Sequence, residues 1–342
     1  MGWDMMLTRR TFGRLAAATP LATANLISSR AEAAEFVYKY GNQVPATHPM
    51  TIFTQRAADR IRQESNGRLD IQLFPNNQLG GDTDMLSQLR SGALEFFTIS
   101  PVVLSNLVSV ASISGIGFAF PDYETAWRAM DGELGAYVRG EVAKFGLTAM
   151  EKIWDSGYRQ VTTSTKPVNS ADDLKGMKIR VPVTPLWSSM FKALGAAPAS
   201  INFSEVYSAL QTKIVDGQET PLVSIKAAKL YEVQKYCSLT NHVWDGYWFT
   251  ANTRAWQRLP KDLQDIAARN FTRAAEEQRL ENKRLNETLR GELEKGGLAF
   301  NTPTDLASFR TVLSKAGFYA EWRGKFGADA WKLLEKYAGE LA

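Results

Sequence analysis

A chain of 342 residues with 44% hydrophobic and 22% charged side chains has the length and apolar content for two domains, each with its own core. Its 40 Lys and Arg against 36 Asp and Glu leave a net charge of +4, with no basic stripe, which argues against nucleic acid as a partner. The single cysteine excludes an internal disulfide, and two histidines leave little material for metal or acid–base chemistry.

At the N-terminus Arg9-Arg10 sits in Thr8-Arg9-Arg10-Thr11-Phe12, followed by a weakly apolar, alanine-rich run over 15–27 and a small-residue exit, Ala31-Glu32-Ala33-Ala34. This order predicts a secretory signal peptide over 1–33, cleaved near Ala33-Ala34. The arginine pair followed by a bulky apolar residue matches the form read by twin-arginine export. The run is interrupted by Pro20 and several threonines, and falls short of the roughly 20 apolar residues needed to cross a bilayer. The expected location is the periplasm. Losing four arginines, Asp4 and Glu32 lowers the charge of the mature chain from +4 to about +2.

The mature chain then alternates strand and helix. Residues 35–40 read as a strand ended by Gly41, and 49–65 place Ile52, Phe53, Ala57 and Ile61 at helical spacing before Gly67. A second strand covers 69–74. Asp82 suits the cap of a helix with Met85, Leu86 and Leu89 on one face, closed by Gly92, and 94–99 is a third strand. Short strands alternating with helices predict a mainly parallel sheet covered on both faces. After a break rich in Gly and Pro over 114–121 the pattern restarts. Strands are expected over 147–153, 159–163 and 178–181, a short helix at Ser170 or Asp172, and amphipathic helices over 185–194 and 203–212. The segment 233–239 alternates like a strand, which makes Cys237 a buried small apolar residue. An aromatic strand over 246–252 is followed, after Pro260, by one long helix over 261–295 with charges at i,i+4 spacing. The expected architecture is α/β and two-lobed, with the long helix spanning the lobes and a ligand crevice where the sheet ends face each other.

Catalytic motifs are missing. The chain has no H-E-x-x-H, no G-x-S-x-G and no phosphate-binding G-x-x-x-x-G-K-[ST], and Gly115-x-Gly117 is too short and apolar for a nucleotide loop. No cofactor and no metal are expected. Arg180 closes the strand Lys178-Ile179-Arg180-Val181-Pro182 where a crevice would open, and Arg159 begins a neighbouring strand. A guanidinium holds a carboxylate through two parallel hydrogen bonds. Taken alone, each arginine is better explained by a surface or structural ion pair.

The blocks Gly157-Tyr158-Arg159-Gln160, Asp172-Asp173-Leu174-Lys175-Gly176-Met177-Lys178-Ile179-Arg180-Val181-Pro182, Phe203-Ser204-Glu205-Val206-Tyr207-Ser208-Ala209-Leu210-Gln211-Thr212 and Val215-Asp216-Gly217-Gln218-Glu219 carry a resemblance, as do Gln78-Leu79-Gly80-Gly81-Asp82 and Ser91-Gly92-Ala93-Leu94-Glu95. Over most of the mature chain the sequence resembles the solute-binding proteins of TRAP transporters. The resemblance implies a two-lobed periplasmic binding protein of type II-like fold, with a hinge, lobe I over 35–156 plus 246–284 and lobe II over 157–245 plus 285–342. It implies capture of an organic acid by a monomer and delivery to the membrane subunits of the transporter. A periplasmic sensor feeding a chemoreceptor or kinase is the alternative, and an enzyme on the same fold a remoter one.

For the site, the resemblance implies that Arg180 clamps the ligand carboxylate, that Arg159 adds a contact and that Phe203 packs on the ligand body. It places His48 and Ser100 where the first and third strands meet the cleft. Where the family commonly reads D-G-Q-E-N-P, this chain has Asp216-Gly217-Gln218-Glu219-Thr220-Pro221, so Thr220 replaces an asparagine that supports the carboxylate. One hydroxyl stands where an amide offered two donors and an acceptor. Trp187 begins the helix that the Arg180 strand feeds, Trp154 precedes Arg159, and Trp244, Tyr247, Trp248 and Phe249 share one strand. Core packing accounts for each singly. As a group near a carboxylate clamp they raise the expectation of a ligand with an aromatic or apolar body.

Overall fold

The computed structural model describes Met1 and residues 33–341, so the leader expected over 1–33 lies, apart from its end residues, outside the described residues. In chain order the strands are β1 (Phe36–Gly41), β2 (Leu69–Phe74), β3 (Phe96–Ile99), β4 (Leu147–Ala149), β5 (Trp154–Tyr158), β6 (Gln160–Thr163), β7 (Lys178–Val181), β8 (Ala197–Ser200), β9 (Gly217–Thr220), β10 (Tyr236–Ser238), β11 (Trp244–Asn252) and β12 (Ala299–Asn301). They form two sheets, one in the order β2-β1-β3-β11-β4 with β5 also on β11, the other β12-β10-β6-β9-β7-β8. The architecture is α/β and two-lobed.

The sheets are mixed rather than mainly parallel. β1 pairs parallel with β2 and β3, as βαβ units require, but β11 runs antiparallel to β3, β4 and β5. The reason is the route of the chain. β5 passes through Arg159 directly into β6 of the second sheet, and after β10 the chain returns as β11, entering the first sheet in the opposite sense. The two crossing segments stay paired, the Arg159 N–H donating to the Val243 carbonyl at 2.9 Å.

Helices α1 (Pro49–Glu64), α2 (Asp82–Ser91) and α3 (Pro101–Leu104) follow the first three strands. The side chain of His48 caps α1, Nδ1 accepting the Met50 N–H at 3.1 Å, and Pro49 supplies the first helical φ without wasting a donor. Gly92 ends α2 at φ 87°, a left-handed conformation that glycine adopts without a Cβ penalty. Next come α4 (Tyr123–Asp131), α5 (Glu133–Ala143), α6 (Pro185–Ala193), α7 (Val206–Gln211), α8 (Leu222–Ala227) and α9 (Thr253–Arg258), then α10 (Lys261–Thr288).

The predicted long helix breaks at Leu289, leaving α10 and a short α11 (Arg290–Lys295). The 28 residues of α10 span about 42 Å at 1.5 Å per residue. Its Leu263, Ala267, Phe271 and Ala274 pack against Phe53, Ala57 and Ile61 of α1 and the β3–β11 aromatics, with Phe249 and Phe271 only 4.0 Å apart between ring centroids. Further along, Gln278 pairs with the backbone of β5, donating to the Asp155 carbonyl at 2.7 Å and accepting its N–H at 2.9 Å. The far end of α10 reaches α8, so the helix bridges both lobes. The C-terminal helices α12 (Ala307–Lys315), α13 (Phe318–Phe326) and α14 (Ala328–Ala338) pack on α6 and back onto α4 and α5. Among the described residues, no helix is long and apolar enough to cross a membrane.

Candidate ligand-binding site

β7 begins exposed at Lys178 and is buried from Ile179 to Val181, so Arg180 is carried into the interior at 1% exposure. Its Nε and Nη2 donate to a single acceptor, the Ile201 carbonyl, at 2.9 and 2.7 Å. Its Nη1 is buried and makes no hydrogen bond to any of the described residues. Burial pulls the guanidinium down to about 10, with the charge of Glu219 opposing, so it stays cationic at neutral pH. Holding a charge out of water without a paired anion costs several kcal/mol, a cost that a native fold rarely carries without a use.

Arg159, on the crossing between the sheets, is the opposite case. It is 3% exposed and surrounded by carboxylates. Nε bonds Glu219 Oε2, Nη2 donates to Glu219 Oε1 at 2.9 Å and to the Glu219 carbonyl at 2.6 Å, and Nη1 donates to Asp245 Oδ2 at 2.7 Å. The Trp187 ring lies beneath the guanidinium, 4.4 Å from its carbon. Burial opposes the charge, but Glu219 and Asp245 overcome it and raise the pKa. Glu219 in turn sits 3.2 Å from His242 Nε2. Although burial works against its charge, Arg159 and His242 hold its pKa below the ordinary carboxylate range. Burial pushes Asp245 up to about 7 against the pull of Arg159, and Ser100 donates to its free oxygen at 3.0 Å.

These groups meet in one small cavity between the sheets, about 20 Å³ in volume and lined by Gln43, Asp82, Ser100, Val103, Arg159, Arg180, Pro182, Phe203, Thr220, Asp245 and Tyr247. That is room for about one water molecule, so a larger ligand has to part the lobes. Of the eight residues expected at the site, Arg180, Arg159, Phe203, Thr220 and Ser100 come together here, Phe203 with its ring 5.8 Å from the Arg180 carbon. Trp187, Trp244 and His48 do not. Trp187 donates to the Gly115 carbonyl at 2.8 Å behind Arg159, and Trp244 donates to Asp155, which also accepts from Trp127. His48 is committed as the α1 cap, faces Ser224 at 3.5 Å, and is lowered to about 3 by burial, which leaves it neutral. The lining includes no tryptophan, and the aromatic body expected of the ligand finds only Phe203 and Tyr247.

The sequence reading missed Gln43, Asp82, Glu219 and Asp245 as site residues, and named Tyr247 only within the aromatic group of its strand. Asp82 was expected as a helix cap. Gly81 occupies that position, with the Asp84 carboxylate accepting its N–H at 3.0 Å, while Asp82 turns inward and is 4% exposed. Burial lifts Asp82 to about 6, against the pull of Arg180. A legible signal existed for Asp245, a lone carboxylate inside the aromatic run Trp244-Asp245-Gly246-Tyr247-Trp248. Gln43 gave none.

The sequence profile of the bacterial extracellular solute-binding proteins, family 7, matches residues 40–321. The chain belongs to that family. A relative, a solute-binding protein of Roseobacter denitrificans, is 32% identical over 305 residues, 88% of this chain and 91% of that one. A TRAP periplasmic solute-binding protein from Sulfurospirillum deleyianum, solved with bound succinate, shares 29% identity and superimposes with a TM-score of 0.83 over 90% of this chain and 99% of that one. Another, from a Polaromonas species and bound to D-erythronate, gives 28% and 0.84 over the same shares. A longer relative in Sinorhizobium fredii is matched over 48% of its length, so the chain spans about half of it. Family 7 proteins bind solutes and are not enzymes.

Proposed function

We propose that this family 7 protein captures a small organic acid between its lobes, with Arg180 as the group that receives the carboxylate, and hands it to the membrane subunits of a TRAP transporter. The observation that carries the reading is the buried Arg180 Nη1, a charged donor without a partner among the described residues, on a cavity between two sheets. A ligand carboxylate supplies the missing counter-charge and acceptors together. The solved relatives hold succinate and D-erythronate, both carboxylates. Arg159 acts beside it as a positioning residue, and Ser100, Thr220 and Phe203 complete the wall. Trp187 and Trp244 support the site from behind, and His48 from the α1 cap.

The strands that cross at Arg159 and at 240–243 form the hinge. About it the lobes, 35–156 with 246–284 and 157–245 with 285–342, open to admit the acid and close over it. The twin-arginine leader over 1–33 exports the chain to the periplasm, where it works as a monomer.

A thermal-shift panel of the mature chain tests the reading. At 100 times its dissociation constant a ligand stabilises the fold by roughly 2.7 kcal/mol. At least one free acid should raise the melting temperature while its methyl ester and amide do not. An ester that stabilises as well as its acid would remove the carboxylate from the argument.

A further inference from the structure

Three of the groups on the cavity wall have hydrogen-bonding atoms that are buried and without a partner among the described residues: Arg180 Nη1, Asp82 Oδ1 and Gln43 Oε1. One is a cationic donor. The other two are acceptors, one of them a carboxylate. The remaining charges are committed. Both oxygens of Glu219 are on Arg159, and Asp245 is divided between Arg159 and Ser100. Gln43 is held by its other end, Nε2 donating to the Tyr247 hydroxyl at 3.0 Å, and this leaves Oε1 free. Asp82 is the first residue of α2 and its side chain is carried inward, 4% exposed.

The wall therefore presents one unpaired cation, and around it acceptors that want donors. A ligand complementary to this set carries one carboxylate for Arg180 and hydroxyl groups for Asp82 and Gln43. A second carboxylate would enter a space already holding Asp82 and Asp245, with no cation left to face it, and a bare alkyl chain would leave Asp82 Oδ1 and Gln43 Oε1 buried without partners. Both penalties fall on the wrong ligand. That is how a site built of hydrogen-bonding groups discriminates most strongly.

We infer that this site selects hydroxy-monocarboxylates of the aldonate type, and that Asp82, together with Gln43, reads the ligand hydroxyls and turns dicarboxylates away. The inference rests on Arg180 holding the carboxylate.

Calorimetric titration of the mature protein with length-matched pairs tests it: D-erythronate against succinate at four carbons, D-gluconate against adipate at six. Butanoate and hexanoate serve as the unsubstituted acids. The expected result is that a hydroxy acid binds at least about tenfold tighter than the dicarboxylate and the unsubstituted acid of its length. Asp82→Asn, which keeps the shape and removes the charge, should shrink the preference over the dicarboxylate by about tenfold, by weakening the first and strengthening the second. A merely structural Asp82 would weaken all acids alike and leave that ratio unmoved. A wild-type protein that prefers the dicarboxylate, or a ratio unchanged in Asp82→Asn, overturns the inference. If Arg180→Met abolishes binding while the ratio stays put, only the Asp82 assignment falls. If Arg180→Met binds like wild type, or no acid binds at all, the carboxylate reading falls with it.

Discussion

Two arginines open onto the same cavity, and both are almost completely buried, yet their surroundings differ in kind. Arg159 has its fork closed by Glu219 and Asp245 and its face laid on Trp187. Arg180 leans on one backbone carbonyl and keeps Nη1 free. The difference follows from where each sits in the chain. Arg159 lies at the point where β5 becomes β6, so its side chain ties β9 of one sheet to β11, which returns to the other. Arg180 lies within β7 near its end, where no opposing carboxylate pairs with it. A buried cation that is fully paired suits a structural tie between the sheets, whereas one with a spare donor suits the anion-receiving role proposed for Arg180.

The sharpest way to break the comparison is to remove each charge in turn while keeping the volume. Arg159→Met strands Glu219 and Asp245 in the interior. Losing one partner of a buried pair costs about 3–5 kcal/mol, so denaturant and thermal unfolding of the ligand-free protein should show a large loss. A variant that melts with wild type would mean that the network is dispensable to the fold. Arg180→Met should do the reverse. Without ligand its stability should equal or exceed wild type, because an unpaired charge has left the interior. Affinity for the acid should fall by about 2–5 kcal/mol, roughly a thirtyfold to several-thousandfold rise in Kd. Arg180→Lys, which keeps the charge and loses the planar fork, should fall between wild type and Arg180→Met.

A finer test uses pH. Burial lifts Asp82 to about 6 from an ordinary 3.8, and lifts Asp245 to about 7. Between the unfolded and folded values the native state holds the extra proton. The stability from each group is therefore complete below about pH 4 and is lost as pH rises through the folded value. Asp82→Asn deletes one of these titrations and leaves the rest in place. The ligand-free variant should gain on wild type as pH rises from about 4 to about 6.5 and hold a constant advantage above it, on the order of 2–3 kcal/mol at most for a shift of about two units. Equal melting curves across that range would show Asp82 to be better solvated than its burial implies.

The contrast between the arginines was only half legible in the sequence. Periodicity located β1, β2, α1 and α2 to within a residue or two, because each buries one face and polar residues or glycines mark its ends, and Pro182 marked the end of the buried β7. The motif blocks led to both arginines. What the sequence did not carry was partnership. Glu219 and Asp245 are 60 and 86 residues from Arg159, and only the crossing of the two sheets brings them to it. The mixed strand directions escaped for the same reason, since β11 is antiparallel only because of the path it takes back. The tryptophans were over-read. The indole N–H groups of Trp187 and Trp244 are already satisfied by the Gly115 carbonyl and by Asp155, Trp154 and Trp248 are core rings off the cavity wall, and no local pattern distinguishes such rings from one facing a ligand. Asp82 was misplaced by one residue, the cap falling on Gly81, and that one step turns a solvent-facing cap into a buried wall group.

Thr220 offers the smallest effect and the closest look at the wall. It sits on β9 beside Glu219, is 3% exposed, and lines the cavity where the resemblance places an asparagine. Thr220→Asn puts a larger amide into a space of about 20 Å³, and its donors would compete with the ligand hydroxyls for Asp82 and Gln43. The expected result is a loss of less than about tenfold in affinity for a hydroxy acid, near 1 kcal/mol, with a relative gain for acids lacking hydroxyls. Thr220→Val keeps the shape and removes the hydroxyl, so it separates bulk from hydrogen bonding in the same titration. If Asn weakens binding and Val does not, Thr220 is there for its size, leaving room for the ligand beside Arg180. If Val weakens binding as much as Asn, the hydroxyl itself contacts the ligand, and the wall has a donor that the static cavity does not reveal. An Asn variant that binds more than tenfold tighter would mean that the threonine relaxes a carboxylate grip the fold could otherwise make, and the spare Nη1 of Arg180 would then be the trace of that relaxation.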